Sequence, residues 1–431
     1  MSADLLLAWT CAAGVFLLIC EYAIGAPLVL LRTLVTAGHR RRRRYRPGHD
    51  DGLATSRFTI PVSIVLPVAR DDDDAVTAAR GLLELRYPEL ELIVVTSAAA
   101  TDSLERLRNA FALRPCELFY RRLLSTSPVA GIYRSVSEPR LLVAVIEGES
   151  VGDARNCGTN LARFRYVCFA TAAARYKRAA LLESMQAALE DPSRVVGVTA
   201  ALAVKPEGGD HTEATGRLGV WDALRHAAGA RRRLTALGRR RVDLPPEGAT
   251  GFSIWRRDVL LDVGGFAAAG MGTDADMTFR VHRQFRGDRQ RYRVLHLSDP
   301  AGTVPPSHAG AASDSARATA ALVWRHGLLL NPAYGRLGLL DLPRFALNAF
   351  VAPWVEALAL VLLLLAVPAG VLTAGQMLLV LFGVGLGNGV LVATALLLDA
   401  EAVASLHPSA LLNLALVGPF EYFLARPARL R

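Results

Sequence analysis

The chain has 431 residues, of which 52% are hydrophobic, and it carries a formal net charge of +10. The apolar residues crowd the two ends and leave a polar middle, which excludes a purely soluble chain and fits a membrane protein with one soluble unit. The excess of basic residues borders an apolar stretch, so it is read as a partner for anionic lipid and not for nucleic acid.

The first apolar block runs from Leu5 to about Leu31, broken only by Glu21. At about 1.5 Å per helical residue it is long enough to cross a hydrocarbon core of roughly 30 Å. A cleaved secretory signal places its positive charges before the apolar stretch; here Asp4 precedes it, and Arg40 to Arg44 with Arg46 follow it. The positive-inside rule then puts the N-terminus outside and the residues after Arg46 in the cytosol. Cys11 and Cys20 lie in this span, while Cys116, Cys157 and Cys168 are scattered without metal-ligand spacing, which suits packing residues in a reducing compartment.

Strand and helix signals alternate through the middle, which predicts a mainly parallel sheet with helices on both faces. Val62 to Leu66 is a short β-branched run ended by Pro67, and Asp71 to Asp74 open a helix that continues to Leu85, with the carboxylates against the positive end of its dipole. A strand over Leu90 to Val95, a helix over Ser103 to Phe111, a strand over Tyr166 to Phe169, a helix over Lys177 to Leu189 and a strand over Arg194 to Val204 follow. Because ligands of open α/β sheets bind beyond the carboxyl ends of the strands, the loops after Leu66, Val95 and Phe169 are expected to converge on one site.

After Leu339 the chain turns apolar again. Phe350 to Pro368 and Leu372 to Leu398 can each span, and the link Ala369-Gly370-Val371 makes them an antiparallel hairpin. Leu411 to Leu424 is shorter, contains Pro419 and Glu421, and is followed by Arg426, Arg429 and Arg431. It reads as an interfacial helix, with a further crossing as the alternative. The expected organisation is an N-terminal transmembrane anchor with its basic flank (1–46), a cytosolic domain (58–345), and a C-terminal transmembrane hairpin followed by the interfacial or additional transmembrane helix (346–431). The chain is thus expected to be a multi-pass protein of the cell membrane with its central domain cytosolic.

Several stretches in order then carry a resemblance: VSIVLPVARDDDD from Val62, ELIVVTSAAATD from Glu91, VGDARNCGTNLARFRYVCFATAAARY from Val151, ATGFSIWRRDVLLDVGGF from Ala249 and GTDADMTFRVHR from Gly272. RYRVLHLSDP from Arg291 and WRHGLLLNPAYGRLGLLDLPRF from Trp324 complete the series. Together they resemble membrane-bound family 2 glycosyltransferases of the GT-A, nucleotide-diphospho-sugar transferase type. The resemblance implies inverting transfer of a sugar from a nucleotide sugar to a lipid-linked or polysaccharide acceptor at the cytosolic membrane face. It places Pro67, Asp71, Ser97, Asn156, Thr171, Ala173 and Arg175 on the nucleotide-sugar side, and Gly251, Phe252, Asp276, Trp324 and Arg325 on the acceptor side. Asp274 falls on the family's catalytic base.

The pattern also departs from the family. Members hold Mg²⁺ or Mn²⁺ with an Asp-x-Asp pair, since a hard divalent ion prefers oxygen ligands and bridges phosphates. Here those positions read Thr171-Ala172-Ala173, so neither a metal ligand nor a cofactor is expected. Thr96 and Ser97 stand where an aspartate pair is usual, and the family's Gln-x-x-Arg-Trp motif reads Ala320-Ala321-Leu322-Val323-Trp324. Asp274, preceded by Thr273, is read either as a base or as a helix cap, and Asp276 as a residue that caps or orients. Arg134, Arg175 and Lys177 are candidates for neutralising a diphosphate, or are solvated charges. His308 is read as structural. Arg231 to Arg233 and Arg239 to Arg241 suit anionic headgroups or a phosphate-bearing lipid. A catalytically silent chain that binds an active glycosyltransferase is the alternative reading.

Overall fold

The computed structural model describes residues 30–31, 59–68, 75–189, 191–204, 250–267, 274–305, 316–335, 337–347 and 352–398. The first apolar span apart from Leu30 and Leu31, the arginine run, Asp71 to Asp74, the clusters at 231–241, Gly272, Thr273, His308 and the block at 411–424 lie outside the described residues.

Strands β1 (Val62–Val68), β2 (Leu90–Ser97), β5 (Leu141–Ile146) and β6 (Tyr166–Phe169) lie parallel at the centre in the order β5-β2-β1-β6. Their residues are almost all buried, as continuous β-branched runs covered on both faces must be. Around this centre stand β3 (Leu113–Pro115), β4 (Val129–Ser135), β7 (Arg175–Tyr176), β8 (Val195–Val204), β9 (Thr250–Arg256) and β10 (Arg293–Val304). The sheet has ten strands in the order β3-β4-β5-β2-β1-β6-β9-β8-β10-β7.

Beyond the parallel centre the sheet is mixed, which corrects the mainly parallel expectation. The β3–β4, β4–β5, β6–β9, β8–β9 and β7–β10 pairings are antiparallel. The pair β4–β5 carries no alternating apolar signal, because β4 (VAGIYRS) is mostly half-buried or exposed near the sheet edge. Pro67 does not end β1 but lies within it, opposite Val95 of β2. Its other neighbour, β6, stops at Phe169 opposite Val65, so Pro67 has a ladder partner on one side only, a place where a missing N–H is tolerated.

Helices cover both faces, as expected. Helices α1 (Ala75–Leu83), α2 (Thr101–Phe111) and α4 (Ala180–Leu189) pack over Val62, Ile64 and Leu66, while α3 (Val151–Leu161), α5 (Arg257–Asp262) and α6 (Asp274–Gly287) pack over Val65, Val167 and Phe169. Helix α3 lies so close to β1 that a Cβ at Gly158 would collide with the side chain of Val65. After α5, Gly264 and Gly265 have φ of +77° and +70°, a left-handed pair that glycine adopts without a Cβ clash and that turns the chain towards Phe266.

Helix α7 (Ala316–Arg325), two single 3₁₀ turns, a π-turn (Leu337–Asp341) and α8 (Leu342–Ala346) wrap the outside of α6, with Leu322, Leu329, Leu337 and Leu342 packed around Phe279. The chain then forms a hairpin of α9 (Ala352–Leu365) and α10 (Ala374–Leu398), joined through Ala359, Leu363 and Val384. Within α10, residues Ala374–Thr394 have a mean hydropathy of 2.0 and are only 28% buried, which makes this helix long and apolar enough to cross a membrane.

Candidate functional site

The carboxyl ends of β1, β2, β5 and β6 lie on one side of the sheet. The antiparallel pairing of β9 with β6 brings Ser253 beside Phe169 there. The first residue of α6, Asp274, reaches this edge. Its Oδ1 accepts a hydrogen bond from Ser253 Oγ at 2.7 Å and pairs with Arg155 Nη1 at 3.2 Å. Asp274 is 1% exposed, and its Oδ2 makes no hydrogen bond. Its side-chain bonds run across the domain to β9 and α3, so the carboxylate joins three elements.

Arg155 arrives from α3 and is itself buried. Its guanidinium stands 5.5 Å from the ring of Phe169 and 4.9 Å from that of Phe266, which meet edge to face at 4.8 Å. Such a cation has exchanged water for aromatic faces and a carboxylate, where charge interactions are stronger than in solvent. The next residue, Asn156, accepts from Phe266 N at 2.7 Å and donates to Phe266 O at 2.9 Å, so this wall is fastened to the same helix.

The loop after β6 is apolar where carboxylates were sought. Ala173 and Ala174 are buried with Leu202 and Val304, and Thr171 is half-buried. The hydroxyl of Tyr176 accepts from Thr171 N at 2.7 Å and donates to Gly251 O at 2.8 Å, tying the loop to β9. Burial pushes that phenol well above its ordinary range, so it acts here as a neutral hydroxyl. A divalent ion held by these positions does not fit: Ala173 offers a methyl group packed on Leu202 and Val304, and Thr171 a single hydroxyl. Among the described residues, no group of three or more His, Cys, Asp or Glu side chains is placed to hold a metal.

The edge thus brings Asp274, Thr171, Gly251 and the neighbours Phe169 and Ser253 together, and it adds Arg155. Ser97 ends β2 two strands from β6, with its Oγ accepting from Ala99 N. Pro67 lies between these strands in β1. Phe252 is fully buried in the core against Tyr176, at 5.1 Å between rings. Asp276 is fully buried and its Oδ1 meets His326 Nε2 at 2.8 Å, with His326 stacked on Phe279 at 5.5 Å. Trp324 is 88% exposed and Arg325 is exposed beside it. Arg134 in β4 and Arg175 in β7 lie towards opposite edges of the sheet, and Lys177 follows β7. Asp71 lies outside the described residues.

Sequence reasoning passed over Arg155 and Ser253. The polar sequence of α3, VGDARNCGTNL, does not announce its burial; only the structure shows that Gly152 to Leu161 are all buried, where an arginine must have a partner.

No protein-family model matches the chain, and no curated relative matches it. The structure is similar to the mannosyltransferase PcManGT from Pyrobaculum calidifontis in complex with GDP-Man and Mn²⁺, at 15% identity over 97% of this chain and 99% of that one, with a TM-score of 0.48. It is also similar to residues 1–349 of S. aureus TarS in complex with UDP-GlcNAc, at 14% identity, 86% and 92% coverage and a TM-score of 0.37. A third likeness is to glucosyl-3-phosphoglycerate synthase from Mycobacterium tuberculosis with Mn²⁺, UDP-glucose and phosphoglyceric acid, at 16% identity, 66% and 86% coverage and a TM-score of 0.35. Each of the three holds a nucleotide sugar.

Proposed function

We propose that this chain is a membrane-bound, family 2-like glycosyltransferase that moves a sugar, with inversion, from a nucleotide sugar to a lipid-linked or polysaccharide acceptor at the cytosolic membrane face, without a metal ion. The observation that carries the reading is Asp274, a carboxylate held at the carboxyl ends of the strands through Oδ1 alone, with Oδ2 left without a partner. In the reaction the acceptor oxygen bonds to the anomeric carbon from the face opposite the diphosphate. The bond from that carbon to the diphosphate oxygen breaks, the acceptor proton passes to Asp274, and the nucleoside diphosphate departs with the bonding electron pair. The membrane assignment is supported by the apolar α10 and by its hairpin with α9.

A second reading has its own support. Asp274 is almost wholly buried and the loop after β6 is filled with apolar side chains, which suits a silent chain that keeps the fold as a partner for an active glycosyltransferase. Incubation of the full-length protein in nanodiscs with a panel of nucleotide sugars and lipid-linked acceptors, with and without Mn²⁺, separates the two. Turnover that is indifferent to Mn²⁺ and falls about 10²-fold or more in Asp274→Asn supports the enzyme. Turnover untouched by that change removes Asp274 from the mechanism, and no turnover with any donor favours the silent chain.

A further inference from the structure

We infer that the Asp274 carboxylate occupies Arg155 as a stand-in for phosphate, and that an incoming nucleoside diphosphate takes over Arg155 and so releases Asp274 for the acceptor. This rests on the glycosyltransferase reading and adds a switch to it.

The charge of a leaving diphosphate must be met by something, and the loop after β6 offers only the packed methyl groups of Ala173 and Ala174 and the hydroxyl of Thr171. Arg155 is the cation that the fold places beside Asp274. A guanidinium holds phosphate with the same two-pronged geometry with which it holds carboxylate, so the two anions compete for one site. The present pair is not the best such site. It consists of one Nη1–Oδ1 contact at 3.2 Å, longer than the 2.7–2.9 Å typical of a charge-assisted bond, and Oδ2 has no partner at all.

The surroundings suit an exchange of partner. The rings of Phe169 and Phe266 keep the guanidinium desolvated whichever anion it holds. Asn156 fastens Phe266 to α3, and Ser253 keeps its 2.7 Å bond to Oδ1, so Asp274 retains its orientation when Arg155 turns away. With Arg155 engaged by the diphosphate, Asp274 is free to meet the acceptor hydroxyl only when a donor is bound.

Calorimetric titration of full-length protein in nanodiscs with UDP and with GDP, free of divalent ions, tests this. Removing the internal competitor in Asp274→Asn is expected to tighten the diphosphate that binds by about tenfold. Arg155→Gln alone leaves a buried carboxylate without its cation and risks unfolding, so the paired change Arg155→Gln with Asp274→Asn is used, with thermal unfolding as the check on folding. It is expected to weaken binding about 10²-fold while the protein stays folded. If the parent binds but Asp274→Asn binds equally or more weakly, or if the folded paired variant binds like the parent, the exchange is overturned and the glycosyltransferase reading stands. If neither the parent nor Asp274→Asn binds any nucleoside diphosphate, both fall.

Discussion

Ala173 marks how far a single side chain redirects this edge. Its methyl group packs with Leu202 and Val304, so Ala173→Asp would force a carboxylate among apolar atoms and should cost several kcal/mol. A clear fall in melting temperature is expected for Ala173→Asp and little change for Thr171→Asp, whose position is only half-buried. Equal melting temperatures for the two would mean that the loop does not pack as described. The cysteines give a second test. Burial first, and then Asp153, pushes the Cys157 thiol up to about 12, and burial raises the Cys168 thiol well above its ordinary range, whereas Cys116 is partly open to solvent. With Cys11 and Cys20 replaced by serine, a thiol reagent at pH 8 should modify Cys116 rapidly and leave the other two untouched until the protein is unfolded. The stretch GTDADMTFRVHR singled out Asp274 through the resemblance, and the structure places that residue at the strand ends. Its burial against Arg155 was not legible, since Arg155 and Asp274 lie 119 residues apart and meet only when α3 and α6 share one face of the sheet.

At the scale of elements, the approach of α3 to β1 sets where Arg155 stands. Gly158→Ala should push the helix off Val65 and destabilise the domain by about 1–3 kcal/mol. Adding Val65→Ala makes room for the new methyl group, so the pair should recover part of the loss in thermal unfolding. Strictly additive losses would show that the two residues do not touch. The buried strands β1, β2, β6 and β8 were readable because short, mostly apolar runs bounded by turn residues need cover on both faces. The β4–β5 pairing and the returns through β9 and β10 were not. Their partners are distant in sequence or lie near an edge, and neither circumstance leaves a local periodicity.

For the whole molecule, the testable statement is its orientation. If the α9–α10 hairpin crosses a bilayer and the sheet domain is cytosolic, a cysteine in place of exposed Ala369 in the hairpin turn should react with an impermeant reagent on intact cells. One in place of exposed Glu147, beside the strand ends, should react only after permeabilisation. The opposite pattern would put the nucleotide-sugar side out of reach of cytosolic donors.

The sheet's two outermost strands are its shortest, β3 with three residues and β7 with two, and β3 closes on Pro115. A broad, well-ordered sheet at high local density is at risk of recruiting identical neighbours strand by strand. Margins this brief add few free N–H and C=O groups of their own to seed such a ribbon, and a proline removes one more donor. These two short strands therefore blunt the margins of the sheet against edge-to-edge joining of neighbouring domains.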